Sequence, residues 1–344
     1  MRPRDIARAR LLSQGLVGPG WTTPAETVGA FGLMQGQEPT VFSSVALRSA
    51  GGIPAVRRSL DSGELVRAYP MRGTVFLGLA QDMRWMTELL AKPGPQRAAA
   101  RAEEAGVSQN ALQSIRDAVF LNGPVTNEQF KEIVASAAPN AAASAVYRCR
   151  YFLLVSCELA YVGASQRLVQ APAAPGLDEA FNGDRQAAAD EVVRRYVATH
   201  GPVTEMDVRW WSKLPAAQVR VALQHLLRGG EFLEVDGEFL RAQLADDVAA
   251  TPRSAFRRPI LLPGFDEFIL GYQDRLFAMT DDVHTHLAPG NMGVFRKAVV
   301  VDGVVRGTWK GAGGRLELED IGGIPKYAAP GIRRAFSQYP FHNG

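Results

Sequence analysis

The tetrapeptide Gly123-Pro124-Val125-Thr126 is repeated as Gly201-Pro202-Val203-Thr204, and the predicted fold is based on this repeat. Each threonine can cap a helix, because Gln129 or Asp207 lies three residues further on, as a capping box requires. A more diverged third copy is Thr23-Pro24-Ala25-Glu26. The sequence therefore predicts three helices that begin in the same way.

Each copy is predicted to continue with a second and a third helix and then a β-hairpin. The strand pairs are 65–69 with 73–77, 160–162 with 167–169, and 232–235 with 238–241. The last pair turns at Asp236-Gly237, a strong hairpin signal. Three helices followed by a β-ribbon are typical of a winged-helix unit. We therefore predict an α+β chain of three tandem winged-helix units.

The pattern changes near residue 251. Phe265, Phe268, Ile269 and Tyr272 follow a helical spacing, and a hairpin is predicted to turn at Asp302-Gly303. The last quarter is accordingly predicted to be β-rich. The predicted domains are winged-helix units 1, 2 and 3 followed by this region, with bounds 1–107, 108–176, 177–250 and 251–344.

The chain has 344 residues, and its 38 basic and 35 acidic side chains give a formal charge of +3. This length excludes a single small stapled scaffold, and the small charge does not by itself indicate a nucleic-acid partner. Arginine accounts for 32 of the basic residues. It suits phosphates and base edges, although GC-rich coding would also explain the excess.

Two cysteines, Cys149 and Cys157, are too few for a disulfide framework and are predicted to be reduced core residues. The N-terminus lacks the apolar segment of a signal peptide, and no apolar stretch reaches the length of about 20 residues that crosses a membrane. We therefore expect a soluble, cytoplasmic protein.

Gln35-Gly36-Gln37 is the first candidate for chemistry. The helix from Pro24 is predicted to stop near Met34, because Gly36 suits a left-handed cap and Pro39 cannot continue a helix. Two amides spaced in this way can point in the same direction and hold a water molecule or contact a base. The alternative is an ordinary solvated loop.

Asp266 and Glu267 are the second candidate, either as an acid and base pair or as acids attracted to a helix N-terminus. Arg72 and Arg306 each begin an Arg-Gly-Thr tripeptide in a predicted hairpin, where arginine can reach a phosphate. The sequence contains no phosphate-binding loop or dinucleotide fingerprint, and its histidines do not make a metal site. From these residues alone, the function could be that of a DNA-binding regulator or that of an enzyme acting on DNA.

Four separated segments resemble the AlkZ/YcaQ family of bacterial winged-helix DNA glycosylases. They are 71–77 (MRGTVFL) with 82–85 (DMRW), 203–211 (VTEMDVRWW), 262–275 (LPGFDEFILGYQDR), and 301–303 (VDG) leading to 307–309 (GTW). The resemblance covers nearly the whole chain. It implies tandem winged helices that form a concave, C-shaped DNA-binding surface.

The family's catalytic motif is Gln-x-Gln or Gln-x-Asp, and the resemblance places it at Gln35 and Gln37. The Gln-x-Gln branch implies a monofunctional glycosylase that removes N7-alkylated purines, including bulky adducts or interstrand crosslinks, in base excision repair or in self-resistance to an alkylating natural product. One glutamine would orient water against C1′ and the other would support it, and the roles could be exchanged. Gly36 departs from the larger apolar residue usual in the family and predicts a looser loop.

The expected partner is double-stranded DNA with an alkylated purine, bound by a monomer without a cofactor, a metal ion or a membrane. A hairpin near 281–297 is expected to contact a groove. The alternative is a non-catalytic winged-helix protein that binds DNA or sequesters a drug. Arginines expected to bind DNA are Arg48, Arg72, Arg253, Arg257, Arg258, Arg275 and Arg306. Residues expected to support the site are Asp266, Glu267 and Trp309.

Overall fold

The computed structural model describes residues 2–291, 293–312 and 314–341, and it confirms a mixed α+β chain. The chain forms two compact units. The terminal unit combines Met1–Phe31, Glu38–Val56 and Ala189–Gly344, and the central unit combines Gly32–Gln37 and Arg57–Ala188. The four consecutive domains stay a prediction. The two compact units are of a different kind, because each unit combines segments that are separate in the sequence.

Runs of consecutive helices are separated by strands and hairpins along the described residues. The helices are α1 (Pro3–Ser13), α2 (Pro24–Phe31), α3 (Val41–Ala46), α4 (Gly52–Asp61), α5 (Ala80–Leu90), α6 (Pro95–Glu104), α7 (Gln109–Asn122), α8 (Asn127–Ala137), α9 (Ala145–Val155), α10 (Leu177–Phe181), α11 (Arg185–His200), α12 (Glu205–Ser212), α13 (Ala216–Arg228), α14 (Leu244–Ala250), α15 (Arg253–Phe256), α16 (Glu267–Leu270), α17 (Asp281–Leu287) and α18 (Ala329–Ser337). The strands are β1 (Leu33–Gln35), β2 (Leu65–Met71), β3 (Thr74–Leu79), β4 (Leu159–Val162), β5 (Arg167–Gln170), β6 (Phe232–Val235), β7 (Glu238–Arg241), β8 (Ile260–Leu261), β9 (Ala298–Val301), β10 (Val304–Ala312) and β11 (Arg315–Asp320).

A five-stranded antiparallel sheet in the order β1-β3-β2-β4-β5 organises the central unit. The two predicted hairpins β2–β3 and β4–β5 are confirmed. They join through a pairing of Arg67 with Tyr161, which the sequence did not indicate. Apolar side chains of α7, α8 and α9, including Ile115, Phe130 and Leu153, form a core with the sheet. This packing fixes the frame on which β1 lies.

The terminal unit contains a two-stranded sheet, β6–β7, and a four-stranded sheet in the order β11-β10-β9-β8. The predicted turns are confirmed, with φ of 54° and 81° at Asp236 and Gly237 and 56° and 77° at Asp302 and Gly303. The C-terminal quarter also holds helices α15 to α18, so it is mixed rather than β-rich. Its residues 342–344 lie outside the described residues.

The repeated tetrapeptide has the same structural role in both copies. Thr126 and Thr204 form the predicted capping boxes. Val125 pairs with Leu168 of the following hairpin, and Val203 pairs with Phe239. The prediction that three helices follow each cap is wrong in these two copies, because only two helices separate the cap from its hairpin and the third precedes the cap.

Two predicted elements near the C-terminal region differ from the structure. The stretch with helical spacing gives only α16, one turn long, because Phe265 takes a φ of 62° and Asp266 caps the turn. The described part of 281–297 begins with α17 and forms no hairpin. Cys149 and Cys157 are free thiols, as predicted, and burial raises the pKa of each to about 11.

Candidate active site

The Gln35-Gly36-Gln37 segment lies at the end of strand β1. The predicted helix end near Met34 is wrong, because α2 stops at Phe31 and Gly32 takes the left-handed φ of 74°. The next residues pair with β3, with Met34 opposite Leu77 and Gln35 opposite Phe76. The candidate residues therefore lie on a strand and the residues that leave it, where the sheet fixes their position.

Gly36 is packed tightly against β3, so the expectation of a looser loop is wrong. Its N–H donates to the carbonyl oxygen of Val75 at 2.9 Å. A Cβ at this position would lie 2.8 Å from the backbone nitrogen of Leu77 and 2.9 Å from the carbonyl carbon of Phe76. Because both atoms belong to the main chain, a side chain at position 36 requires β3 to move.

The two glutamines contact each other through the backbone. The N–H of Gln37 donates to Oε1 of Gln35 at 2.6 Å, which fixes the plane of the Gln35 carboxamide. Gln35 is half-buried and Gln37 is exposed. An oriented amide next to an exposed one can hold and direct a water molecule, but neither amide is a strong base.

Asp266 is buried in an ion pair with Arg48, and neither side chain is exposed. Arg48 donates to both carboxylate oxygens, at 2.7 and 2.8 Å, and Ser44 donates a third hydrogen bond at 2.6 Å. Burial alone would raise the pKa of Asp266, but Arg48 and these hydrogen bonds hold that pKa below its usual value. The predicted DNA contact of Arg48 is therefore wrong, and Asp266 is a structural side chain.

Glu267 and Trp309 are also buried. Glu267 lies 3.5 Å from Nε2 of His200, and burial lowers the pKa of that histidine although Glu267 opposes the shift. The indole N–H of Trp309 donates to the carbonyl oxygen of Leu262 at 2.9 Å, inside an aromatic core. These contacts help to hold the terminal unit together, and the predicted supporting role of Glu267 and Trp309 stays a prediction.

The remaining predicted arginines divide into two groups. Arg275 donates to the carbonyl oxygen of Ile269 at 2.9 Å, and Arg306 donates to that of Gly322 at 2.8 Å, so these half-buried side chains brace backbone turns, and their contact with DNA stays a prediction. The exposed group is Arg72, Arg253, Arg257 and Arg258, for which DNA contact stays a prediction.

Sequence reasoning missed a cluster of tyrosines and arginines in the central unit. Tyr147, Arg148, Arg150 and Tyr151 lie on α9, a helix without a single acidic residue. The signal is the alternation Tyr147-Arg148-Cys149-Arg150-Tyr151, of which only Cys149 entered the sequence-based prediction, as a core residue.

The comparisons with known proteins agree with the geometry. The family model described as DNA glycosylase AlkZ-like matches residues 28–339. This chain belongs to the AlkZ-like DNA glycosylase family. The family therefore confirms the resemblance that four short segments of sequence indicated.

Two relatives come from Streptomyces sahachiroi. A curated interstrand DNA cross-link repair glycosylase is 31% identical over 129 residues, which are 36% of this chain and 34% of the relative, so the match spans about a third of that protein. The solved structure of the DNA glycosylase AlkZ superposes with a TM-score of 0.73 at 19% identity, covering 98% of this chain and 97% of that one. That likeness is one of fold.

Within the described ranges, no three His, Cys, Asp or Glu side chains come together as metal ligands would. In the same part of the chain, no helix is both long and apolar enough to span a bilayer.

Proposed function

We propose that this chain is a monofunctional DNA glycosylase that hydrolyses the N-glycosidic bond of cationic N7-alkylated purines in duplex DNA. The observation that carries the proposal is the pair of neutral amides at the end of β1, with Gln37 exposed and Gln35 oriented by the Gln37 N–H at 2.6 Å. The family supplies the reaction class. The geometry supports a site that positions water rather than one that removes a tightly held proton.

The charge of the substrate explains why amides suffice. An N7-alkylated purine already carries a positive charge, so its C1′–N9 bond can break without protonation of the base. The bonding electron pair neutralises the purine ring, and the oxygen of water forms a new bond to C1′. A water proton passes to solvent and an abasic site remains. The protein has to place the water and stabilise a sugar with oxocarbenium character.

The two glutamines take different roles in this proposal. Gln37, which is exposed, would contact the water and C1′. Gln35 would act as the positioning residue, because its carboxamide oxygen is already bonded to the Gln37 amide. Gly36 supports both by holding the segment against the backbone of β3.

The domain organisation and the range of substrates are also proposed from the sequence and from the relatives. We take the three successions of helices and hairpin as winged-helix units, with the four domains predicted from the sequence. The concave, C-shaped surface stays a prediction. The Streptomyces sahachiroi relative is named for interstrand cross-link repair. For this chain, crosslinks and other bulky adducts are accordingly proposed as substrates, in base excision repair or in self-resistance.

The test is base release from duplex DNA that carries N7-methylguanine, detected as strand breaks after alkali. We expect breaks with the wild type and a loss of about 100-fold with Gln37→Ala. Gln81→Ala is the matched control, because Gln81 is an exposed glutamine of the same unit, and it should leave release unchanged. Wild-type release no greater than that without enzyme would refute the proposal and favour a non-catalytic DNA-binding protein.

A further inference from the structure

Three tyrosines of the central unit form a ladder from the sheet to the surface. Tyr69 of β2 meets Tyr151 of α9 edge to face at 5.2 Å between ring centroids, and Tyr151 meets Tyr147 at 6.2 Å. The hydroxyl of Tyr151 donates to the carbonyl oxygen of Pro93 at 3.2 Å, which holds the middle ring in place. Tyr147 is 50% exposed. The tyrosine ladder (Tyr69, Tyr151 and Tyr147) thus ends in an aromatic ring that is open to solvent but backed by two others.

Arginines surround this ladder. Cζ of Arg148 lies 5.9 Å from the centre of the Tyr147 ring. Arg150 acts electrostatically on Tyr69, and Arg101 of α6 acts on Tyr151. Within the described ranges, no carboxylate lies within ion-pair distance of any of these three arginines. The exposed end of the ladder is therefore both aromatic and positively charged.

A nearby helix shows how different this arrangement is. On α7, Arg116 lies 5.6 Å from the ring of Phe120, which is 38% exposed. Arg116, however, pairs with Asp117 at 3.1 Å and with Glu158 at 3.2 Å. The positive charge on α7 is thus neutralised, whereas that on α9 is available to an anionic partner.

Topology places the ladder at the same end of the sheet as the Gln-x-Gln segment. β1 and β2 both pair antiparallel with β3, so they run in the same direction. β1 ends at Gln35 and β2 ends at Met71, two residues after Tyr69. One strand lies between them, so their axes are about 10 Å apart. Gln35 and Ala68 both pair with Phe76, so their side chains lie on one face of the sheet, whereas the side chain of Tyr69 lies on the other face, in the core with Val75 and α9.

We propose that Tyr147, with Arg148 and Arg101, forms a DNA-contacting surface of the central unit, on the face of the sheet opposite to Gln35. The exposed ring would pack against a sugar or base, and the guanidinium groups would bind phosphates on the same strand. Duplex DNA is the occupant that this surface fits, because its backbone supplies apolar sugar surfaces next to regularly spaced negative charge. The inference rests on the proposed function, since that function makes DNA the substrate.

Fluorescence anisotropy with a labelled, undamaged duplex measures the contact. Tyr147→Ala should raise Kd about fivefold or more, and Tyr147→Phe, which keeps the ring, should bind like the wild type. Arg148→Gln should reduce the slope of log Kd against log salt concentration by about one. The matched variants on α7, Phe120→Ala and Arg116→Gln, should change neither quantity.

Thermal melting of each variant checks that it is folded, and Arg148→Glu provides a second surface variant that should weaken binding further. Unchanged Kd in folded Tyr147→Ala and Arg148→Glu would overturn the inference, and so would an effect of Tyr147→Phe as large as that of Tyr147→Ala. Base release on the same preparations separates the two proposals. If base release depends on Gln37 but the α9 variants keep the wild-type Kd, only the proposed DNA-contacting surface is refuted. If those variants bind DNA more weakly but the wild type releases no base, only the proposed glycosylase function is refuted.

Discussion

The backbone N–H of Gln37 donates to the side-chain oxygen of Gln35 at 2.6 Å. This bond makes the two side-chain amides unequal, because it fixes the carboxamide of Gln35, whereas the side chain of Gln37 is exposed. Under the proposed function, a motif that is symmetric in sequence would therefore consist of a positioning residue followed by a water-contacting residue.

The two glutamines should respond differently to isosteric substitution. Gln37→Met removes the polar group that contacts water, and we expect base release to fall about 100-fold. Gln35→Met removes only the acceptor that holds the Gln37 amide, and we expect about a tenfold loss because the water is less well placed. Single-turnover rates on N7-methylguanine duplex provide the measurement. A larger loss in Gln35→Met would show that the roles are exchanged, and equal losses would contradict any division of roles between the two glutamines.

Gly36→Ala should destabilise the central unit. The new Cβ would lie 2.8 Å from the backbone nitrogen of Leu77, so β3 has to shift. We expect a loss of about 1 to 3 kcal/mol in the free energy of unfolding, together with slower base release. Gly94→Ala is the control, because its Cβ would be 3.7 Å from its nearest neighbour. Urea denaturation that gives the two variants the same midpoint would contradict the packing described for Gly36.

The buried pair of Arg48 and Asp266 should matter for stability rather than for DNA affinity. Arg48→Met leaves a carboxylate buried without its cation, which costs about 3 to 5 kcal/mol. Arg116→Met breaks an exposed pair and should cost less than about 1 kcal/mol. Because the pKa of Asp266 is depressed in the folded state, its stabilisation is present above the ordinary carboxyl pKa and is lost as the pH falls below about 4. Denaturation of Asp266→Asn over the same range should show a smaller acid dependence.

His200 predicts a second pH effect in a different window. Its pKa is lowered by burial, so the unfolded chain binds a proton more readily than the folded one. The contribution of neutral His200 to the free energy of unfolding should therefore be fully present above about pH 6.5 and should decrease as the pH falls below that value. His200→Gln should be less stable at neutral pH but should lose this part of the pH dependence. Parallel curves for the variant and the wild type between neutral pH and pH 5 would rule out titration of His200 as the cause.

Local sequence signals predicted the hairpins and helix caps well. The turns at Asp236-Gly237 and Asp302-Gly303 form because adjacent residues adopt positive φ without help from distant parts of the chain. The candidate glutamines were also found from sequence, through the family's motif. Their environment was not, because the helix end was assigned to Gly36 although Gly32 ends the helix and frees the next residues to pair with β3.

Burial of charged residues was the part that sequence could not supply. Arg48 is separated from Asp266 by 218 residues, and no spacing rule connects them. An arginine on a polar segment suggests a phosphate contact until its carboxylate partner is located in three dimensions. The α9 surface was missed for the same reason. Arg116 has neighbouring acids and Arg148 has none among the described residues, and only the three-dimensional structure shows this difference.

The close approach of Gly36 to β3 also constrains how this chain can evolve. The atoms that face it are the backbone nitrogen of Leu77 and the carbonyl carbon of Phe76, which every amino acid possesses. No exchange of side chains at those two positions can therefore make room for a larger residue between the glutamines. A larger residue can replace this glycine only if the strand itself is displaced, so the backbone of β3 sets the upper limit on side-chain size between the glutamines.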